Sequence, residues 1–384
     1  MEKIAGFIKK EAVLCIALLL ALISTFVIPP DREYVGYIDF RTLAILFCLM
    51  SVMAGLQKIG LFRRIAQGLL GRVKSCRSLV LIFILLCFFL SMLITNDVAL
   101  ITFVPFTFTV LEMVEEERRR KLILPLVAME TIAANLGSML TPIGNPQNLY
   151  LYGKAGISIG SFVLLMLPYA LVALILLAGW GLIQGGGGSQ SLRLQPGREQ
   201  EGAKGSGLSP VPLIVYLALF VLCLLAVARV LPWQAVLALV LVTVLAMDRK
   251  VLAKVDYSLL LTFVGFFVFI GNMGRIPAFR DFLQEVVAGR EVYVAIAASQ
   301  IISNVPAALL LSGFTDNYRQ LIVGVNLGGL GTLIASMASL ISYKHVAREE
   351  SGRKGAYIGI FTLSNLCFLA VLVVFHAVIL LIFI

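Results

Sequence analysis

The sequence predicts an all-α polytopic membrane protein with two inverted repeats, about nine full spans and two re-entrant hairpins. Three observations carry that prediction. Of 384 residues, 60% are hydrophobic and only 14% charged, against roughly 45–50% and ~25% in an average chain. The apolar residues gather in long runs, which read as membrane segments. Two shorter apolar pairs carry polar tips, and each is followed by a glycine-interrupted run.

The elements follow in order. Lys3, Lys9 and Lys10 precede the run 12–30, which ends at Pro29-Pro30 without a clear small-residue cleavage site, so it reads as a retained first span. Further spans are expected at 40–57, 122–152, 160–183, 211–228, 232–247, 257–273, 319–343 and 356–384. The pair 79–94 and 98–111 flanks Thr95-Asn96-Asp97, and the pair 292–302 and 305–314 flanks Ser303-Asn304. Sixteen helical residues cover ~24 Å, short of a ~30 Å hydrocarbon core. A hairpin that enters and leaves on one side, with its tip at mid-depth, accounts for each pair. The run Glu115 to Arg120 reads as a solvated loop. Asp39 and Asp256 lie at span ends and read as caps or interface anchors.

These elements divide into a first repeat over 1–183, with hairpin 79–111 and broken span 122–152. A Gly-, Ser- and Gln-rich flexible linker follows at 184–210, then a connecting span at 211–231. The second repeat covers 232–384, with hairpin 292–314 and broken span 319–343. A shift of 217 residues aligns Asp39 with Asp256, Ile59 with Ile276 and Phe62 with Phe279. Of the 31 Lys and Arg, 23 fall on the side of the N-terminus and 8 on the other. The positive-inside rule then puts the N-terminus in the cytoplasm and the C-terminus outside, in a bacterial-type inner or plasma membrane. The net charge of +10 is thus an orientation signal and implies no nucleic-acid partner.

Several chemistries lack their residues. The six cysteines show no C-x-x-C spacing, and two histidines are too few for a histidine metal site. No P-loop string occurs, and no Ser/His, paired-Asp or H-E-x-x-H arrangement marks an intramembrane enzyme. No cofactor is expected beyond a possible Na+. What remains is a set of polar residues at predicted mid-depth. Two prolines and two glycines between Gly137 and Asn148 cannot continue a regular helix. The second half offers Asn326-Leu327-Gly328-Gly329-Leu330-Gly331-Thr332. Freed carbonyls suit a cation, and helix N-termini with Asn or Thr side chains suit an anionic group. Glycines can also serve close helix packing alone, but here they pair with hairpin tips in both halves.

The candidate substrate-binding residues are therefore Thr95, Asn96, Thr141, Pro142, Asn145, Ser303, Asn304 and Thr332. The candidate cation-coupling residues are Asp97, Glu130, Asn135, Gly137, Gly144, Asn326, Gly328 and Gly331. Glu130 lies nine residues past Lys121, ~13 Å deep if helical. An acid at such a depth is costly and suits a proton carrier or a cation ligand, or a paired structural acid.

The two hairpin tips, the two broken spans and above all Thr141-Pro142-Ile143-Gly144-Asn145-Pro146-Gln147-Asn148 resemble the ion transporter superfamily. That group includes divalent-anion:sodium symporters, citrate transporters and arsenite permeases. The resemblance covers most of the chain from residue 39 onward, apart from the linker. It implies a scaffold that forms a homodimer in the bilayer and a transport domain that moves like an elevator. Asn96 and Asn304 would contact substrate and help hold two cation sites, completed by backbone oxygens around Gly137–Gly144 and Gly328–Thr332. The dicarboxylate symporters carry Ser-Asn-Thr at both tips. This sequence has Thr-Asn-Asp and Ser-Asn-Val, and an Asn-Asp tip is more like the arsenite permeases. The expected function is cation-coupled secondary transport, by Na+ or H+, of a small anion or oxyanion. The alternative is arsenite-permease-like efflux or sodium/proton exchange with Asp97 as coupling group.

Overall fold

A computed structural model of the chain describes residues 11–70, 73, 75–184 and 210–383. The predicted linker, and the basic residues Lys3, Lys9, Lys10, Arg72, Lys74, Arg193, Arg198 and Lys204 used for orientation, lie outside the described residues. No strand occurs among the described residues. In chain order the first helices are α1 (Ala12–Val27), α2 (Glu33–Tyr37), α3 (Phe40–Lys58), α4 (Leu61–Leu70), α5 (Cys76–Ile94) and α6 (Asn96–Leu111). Then come α7 (Glu116–Ser138), α8 (Pro146–Ala155), α9 (Ile159–Gln184), α10 (Pro210–Val227), α11 (Trp233–Asp248) and α12 (Tyr257–Gly274). The chain closes with α13 (Pro277–Val287), α14 (Glu291–Ile302), α15 (Asn304–Ser312), α16 (Tyr318–Leu327), α17 (Met337–Glu349) and α18 (Lys354–Phe383).

Local chemistry sets these boundaries. Asp39 caps α3 by accepting from the Thr42 amide at 2.9 Å, and Asp256 caps α12 by accepting from Leu259 at 2.9 Å. Their backbones match, with φ −81 and −79. Asp39 and Asp256 are therefore N-caps, one of the roles read from their place at span ends. The first hairpin arm begins three residues earlier than expected, because Ser75 and Ser78 form a reciprocal capping box. The run Glu115 to Lys121 is mostly the first two turns of α7 rather than a loop. Its ion pairs Lys121–Glu117 (2.6 Å) and Arg119–Glu116 (3.5 Å) lie at helical spacing. Both predicted broken spans are interrupted, over 139–145 and over 328–336.

Among the described residues, six helices are long and apolar enough to cross a membrane: α3, α5, α9, α10, α12 and the segment Ser351–Ile382 containing α18. One of them, α5, is the arm expected to be too short to cross. The helices α1 and α11, expected as spans, have 16 residues each. Large apolar side chains point outward, with Leu381 83% and Ile175 70% exposed. Such a surface suits lipid rather than water.

The inside of the molecule is the reverse. From Leu122 to Ser138 nearly every residue of α7 is buried. Around it pack α5, α6, α17 and α18. The hairpin α14–α15 packs on α16 in the same way as α5–α6 packs on α7. Helices α10 and α11 cover α3. Gly55 of α3 leaves room for the Tyr216 ring, and Lys58 pairs with Asp248. The opening helix α1 packs along α12, far away in sequence. Gly265 lets the α12 backbone approach Ala17, and Asn272 donates to Ser24 at 2.9 Å and to Tyr34 at 2.8 Å. Small residues and interhelical hydrogen bonds are the usual means of helix association where lipid removes the hydrophobic drive.

Candidate functional site

The site is built from two sharp tips and two broken turns. Thr95 ends α5 and starts α6 with φ 68 and ψ 149, and Ser303 ends α14 and starts α15 with φ 73 and ψ 155. This region is almost restricted to glycine and costs about 1–3 kcal/mol per residue, so the surroundings must hold it. They do so by matching bonds. The Asn96 amide donates to the Gly144 carbonyl at 3.3 Å, and the Asn304 amide to the Ala335 carbonyl at 3.0 Å. The Thr141 hydroxyl donates to the Met92 carbonyl at 2.5 Å, and the Thr332 hydroxyl to the Gln300 carbonyl at 3.3 Å. Tip residues correspond at an offset of 208 and turn residues at an offset of 191.

These bonds bring four helix N-termini together. A narrow cleft is lined by Asn96, Asp97, Asn145, Pro146, Gln147, Leu259, Asn304, Val305, Ser336 and Met337. Those residues open α6, α8, α15 and α17, and Leu259 comes from α12. None of the four N-cap residues, Thr95, Asn145, Ser303 and Ser336, caps its helix with its side chain. By contrast Asp39, Ser75, Asp256 and Asn317 all cap theirs. The lining holds one carboxylate, four amide side chains and one hydroxyl, and no basic residue. Buried oxygens without a partner include Asp97 Oδ1, Asn145 Oδ1 and Gln147 Oε1. Among the described residues no cluster of three His, Cys, Asp or Glu is placed to hold a metal.

Four of the sequence candidates line the cleft: Asn96, Asp97, Asn145 and Asn304. Others support it from behind. Asn135 accepts from Asn96 Nδ2 at 2.9 Å and from Ser336 Oγ at 3.1 Å, and donates to the Gly329 carbonyl at 3.4 Å. Thr141 also accepts from the Gly144 amide at 3.1 Å, and Pro142 is buried in the same turn. Ser303 Oγ donates to the Ala335 carbonyl at 3.4 Å. Asn326 Nδ2 donates to Asn148 Oδ1 at 2.7 Å, which ties the two broken turns together. Gly137 and Gly328 give close approach: a Cβ would lie 1.9 Å from the Phe88 carbonyl and 2.5 Å from Ser299 Oγ, respectively. Gly144 and Gly331 would bring a Cβ to 2.0 Å from the Ser138 carbonyl and 2.2 Å from Gln300 Oε1. Glu130 is not at the cleft; it is fully buried between α7 and α6, where Thr107 donates to one carboxylate oxygen and the other has no partner.

Pro146, Gln147, Leu259, Val305, Ser336 and Met337 were not among the sequence candidates. Ser336 was findable: the offset that maps Thr141 onto Thr332 maps Asn145 onto Ser336.

The sequence profile described as citrate transporter (CitMHS) matches residues 1–320. The inner membrane protein YbiR of Escherichia coli is 32% identical over 84% of this chain and 84% of its own length. An uncharacterized transporter of Methanocaldococcus jannaschii, MJ0456, is 32% identical over 86% of each chain. The silicon efflux transporter LSI3 of rice is 35% identical over 42% of this chain and 31% of its own length. With the apolar helices, these likenesses make the molecule an integral membrane transporter. The chain belongs to the citrate transporter family within the ion transporter superfamily.

Proposed function

We propose that the chain is a cation-coupled secondary active transporter of a small anion or oxyanion, driven by Na+ or H+ and moving like an elevator. The observation that carries this reading is the meeting of four helix N-termini, uncapped by their own N-cap side chains, at one cleft without a basic side chain. Each N-terminus is equivalent to roughly half a positive charge, so four offer an anion about two. Asp97 opposes them with one negative charge. Anion binding is then favoured once a proton or Na+ neutralises Asp97, which links the two ligands in one cycle. The partnerless oxygens of Asn145 and Gln147 lie on the same cleft and are of the type that Na+ takes. The paired tip and turn bonds support two inverted repeats whose broken helices share one site. A homodimer through the scaffold completes the reading.

The test is transport by protein reconstituted into liposomes, with labelled citrate, phosphate, sulfate and arsenite as probes. Wild type should move at least one of them in response to a Na+ or proton gradient. Asn96→Ala and Asn304→Ala should each abolish that movement while the purified protein keeps its fold. Full activity in both variants refutes the assignment.

The second reading is efflux or exchange with Asp97 central. The partnerless Asp97 oxygen in a cleft without a cationic side chain favours it. So does the likeness to the rice silicon efflux transporter.

A further inference from the structure

The two broken turns differ in one respect that bears on how many cations they take. In the second, Gln300 Nε2 donates to the Gly328 carbonyl at 3.1 Å and to the Leu330 carbonyl at 2.9 Å. Its Oε1 accepts from the Thr332 amide at 2.9 Å. One side-chain amide thus fills the concave side of the turn. The fit requires Gly331, which has φ 112 and stands where a Cβ would meet Gln300 Oε1 at 2.2 Å. In the first turn the position matching Gln300 is Met92, which has no amide. There Asn148 Nδ2 reaches back to the Ser138 and Thr141 carbonyls, both at 3.3 Å. The position matching Asn148 in the second turn is Ser339, whose hydroxyl has no partner. Each turn therefore carries one amide, supplied from a different helix, that takes two of its carbonyls.

Freed carbonyls of a broken helix are the groups that coordinate Na+ in a transporter of this architecture. An amide N–H group aimed at two of them supplies the positive end a cation would supply, without leaving or entering. We propose that Gln300 and Asn148 are built-in substitutes for cations at the two broken turns. Coupling then rests on the Asp97 cleft alone, with one coupling ion per cycle. This inference rests on the transport reading for its meaning, but its test needs no transport. Gln300 is a positioning residue, since it holds the turn against the tip of α15 and does not line the cleft.

The experiment is thermal unfolding of the purified full chain in detergent, in NaCl against choline chloride at equal ionic strength. A ligand of the folded state raises the unfolding temperature. Asp97→Asn removes the cleft carboxylate, and its Tm should be the same in both salts. Adding Gln300→Glu to that variant removes the amide donors and puts a carboxylate among the Gly328 and Leu330 carbonyls. The double variant should be less stable in choline chloride and should regain several degrees in NaCl. Gln300→Met copies the first-turn side chain; it should lower Tm by several degrees while any response to Na+ stays that of wild type, because Asp97 remains. Na+ stabilisation of Asp97→Asn alone would overturn the proposal, because the turns would then hold a cation despite their amides. So would a double variant indifferent to Na+, or a Gln300→Met protein with wild-type Tm. Failure of the liposome assay would refute the transport reading and leave these Tm results standing.

Discussion

Gly137→Ala is the most direct probe of how the first tip is held. Gly137 lies where α7 crosses α5, and a Cβ there would sit 1.9 Å from the Phe88 carbonyl oxygen and 2.6 Å from Ser91 Oγ. An ordinary contact begins near 3.4 Å, so the helices must part by about 1.5 Å. The obstacle is backbone and cannot rotate away. Overpacking of this kind costs ~1–3 kcal/mol, and a backbone clash belongs at the top of that range. At about 2.1 cal/mol/K per residue over 384 residues, about 3 kcal/mol corresponds to a fall in Tm of roughly 4 °C. The displacement also moves Met92, whose carbonyl anchors Thr141, so transport should fall with stability. Gly328→Ala is the control. Its Cβ would meet the Ser299 side chain, at 2.5 Å from Oγ and 2.8 Å from Cβ; the hydroxyl can turn aside, and the fixed Cβ then asks for a shift of about 0.6 Å, less than half that at Gly137. It should cost about 1 kcal/mol. Thermal unfolding of both variants in one detergent measures the order. A Gly137→Ala protein with wild-type Tm, or one more stable than Gly328→Ala, refutes the reasoning.

Two further outcomes are expected. Asp97→Asn should fix the cleft in its neutral form, so that transport loses its dependence on pH or Na+; a variant with the wild-type dependence places the coupling group elsewhere. At the exposed end of α12, Arg275 lies 2.6 Å from Asp31 and holds its carboxyl below the ordinary value of 3.8. A lowered folded value means the pair's contribution is complete above the unfolded value and is lost as pH falls through the folded one. The Tm gap between wild type and Arg275→Gln should therefore be constant above about pH 5 and close in acid. The gap will be small for so exposed a pair, and a gap that widens in acid contradicts the assignment.

The sequence made the polar tips and broken turns legible because they interrupt apolar runs. Asn96, Asp97, Asn145 and Asn304 could be named from that contrast, and Asp39 and Asp256 from their place at span ends. Boundaries were less legible. Ser75 and Ser78 look like loop residues until their reciprocal bonds are seen. Three acids followed by four bases from Glu115 to Lys121 suit a loop or a helix surface equally. Gln300 was invisible as a lone amide in an apolar arm, because its role depends on Gly331, thirty-one residues later and folded back on it. For Glu130 only the depth is legible, and depth does not report that Thr107 is the neighbour its carboxylate meets. The strain at Thr95 and Ser303 was likewise unreadable, since neither residue type announces a positive φ.

The packing of α1 along α12 has a consequence for biogenesis. These helices are separated by roughly 240 residues, which at about 5–20 residues per second takes the ribosome some 12–50 seconds to add. Throughout that interval Ser24 and the Ala17 face of α1 wait in the bilayer without the partners that Asn272 and Gly265 will bring. A helix made some 240 residues before its partner is thus docked late, and the nascent protein must be kept from false partners until α12 arrives.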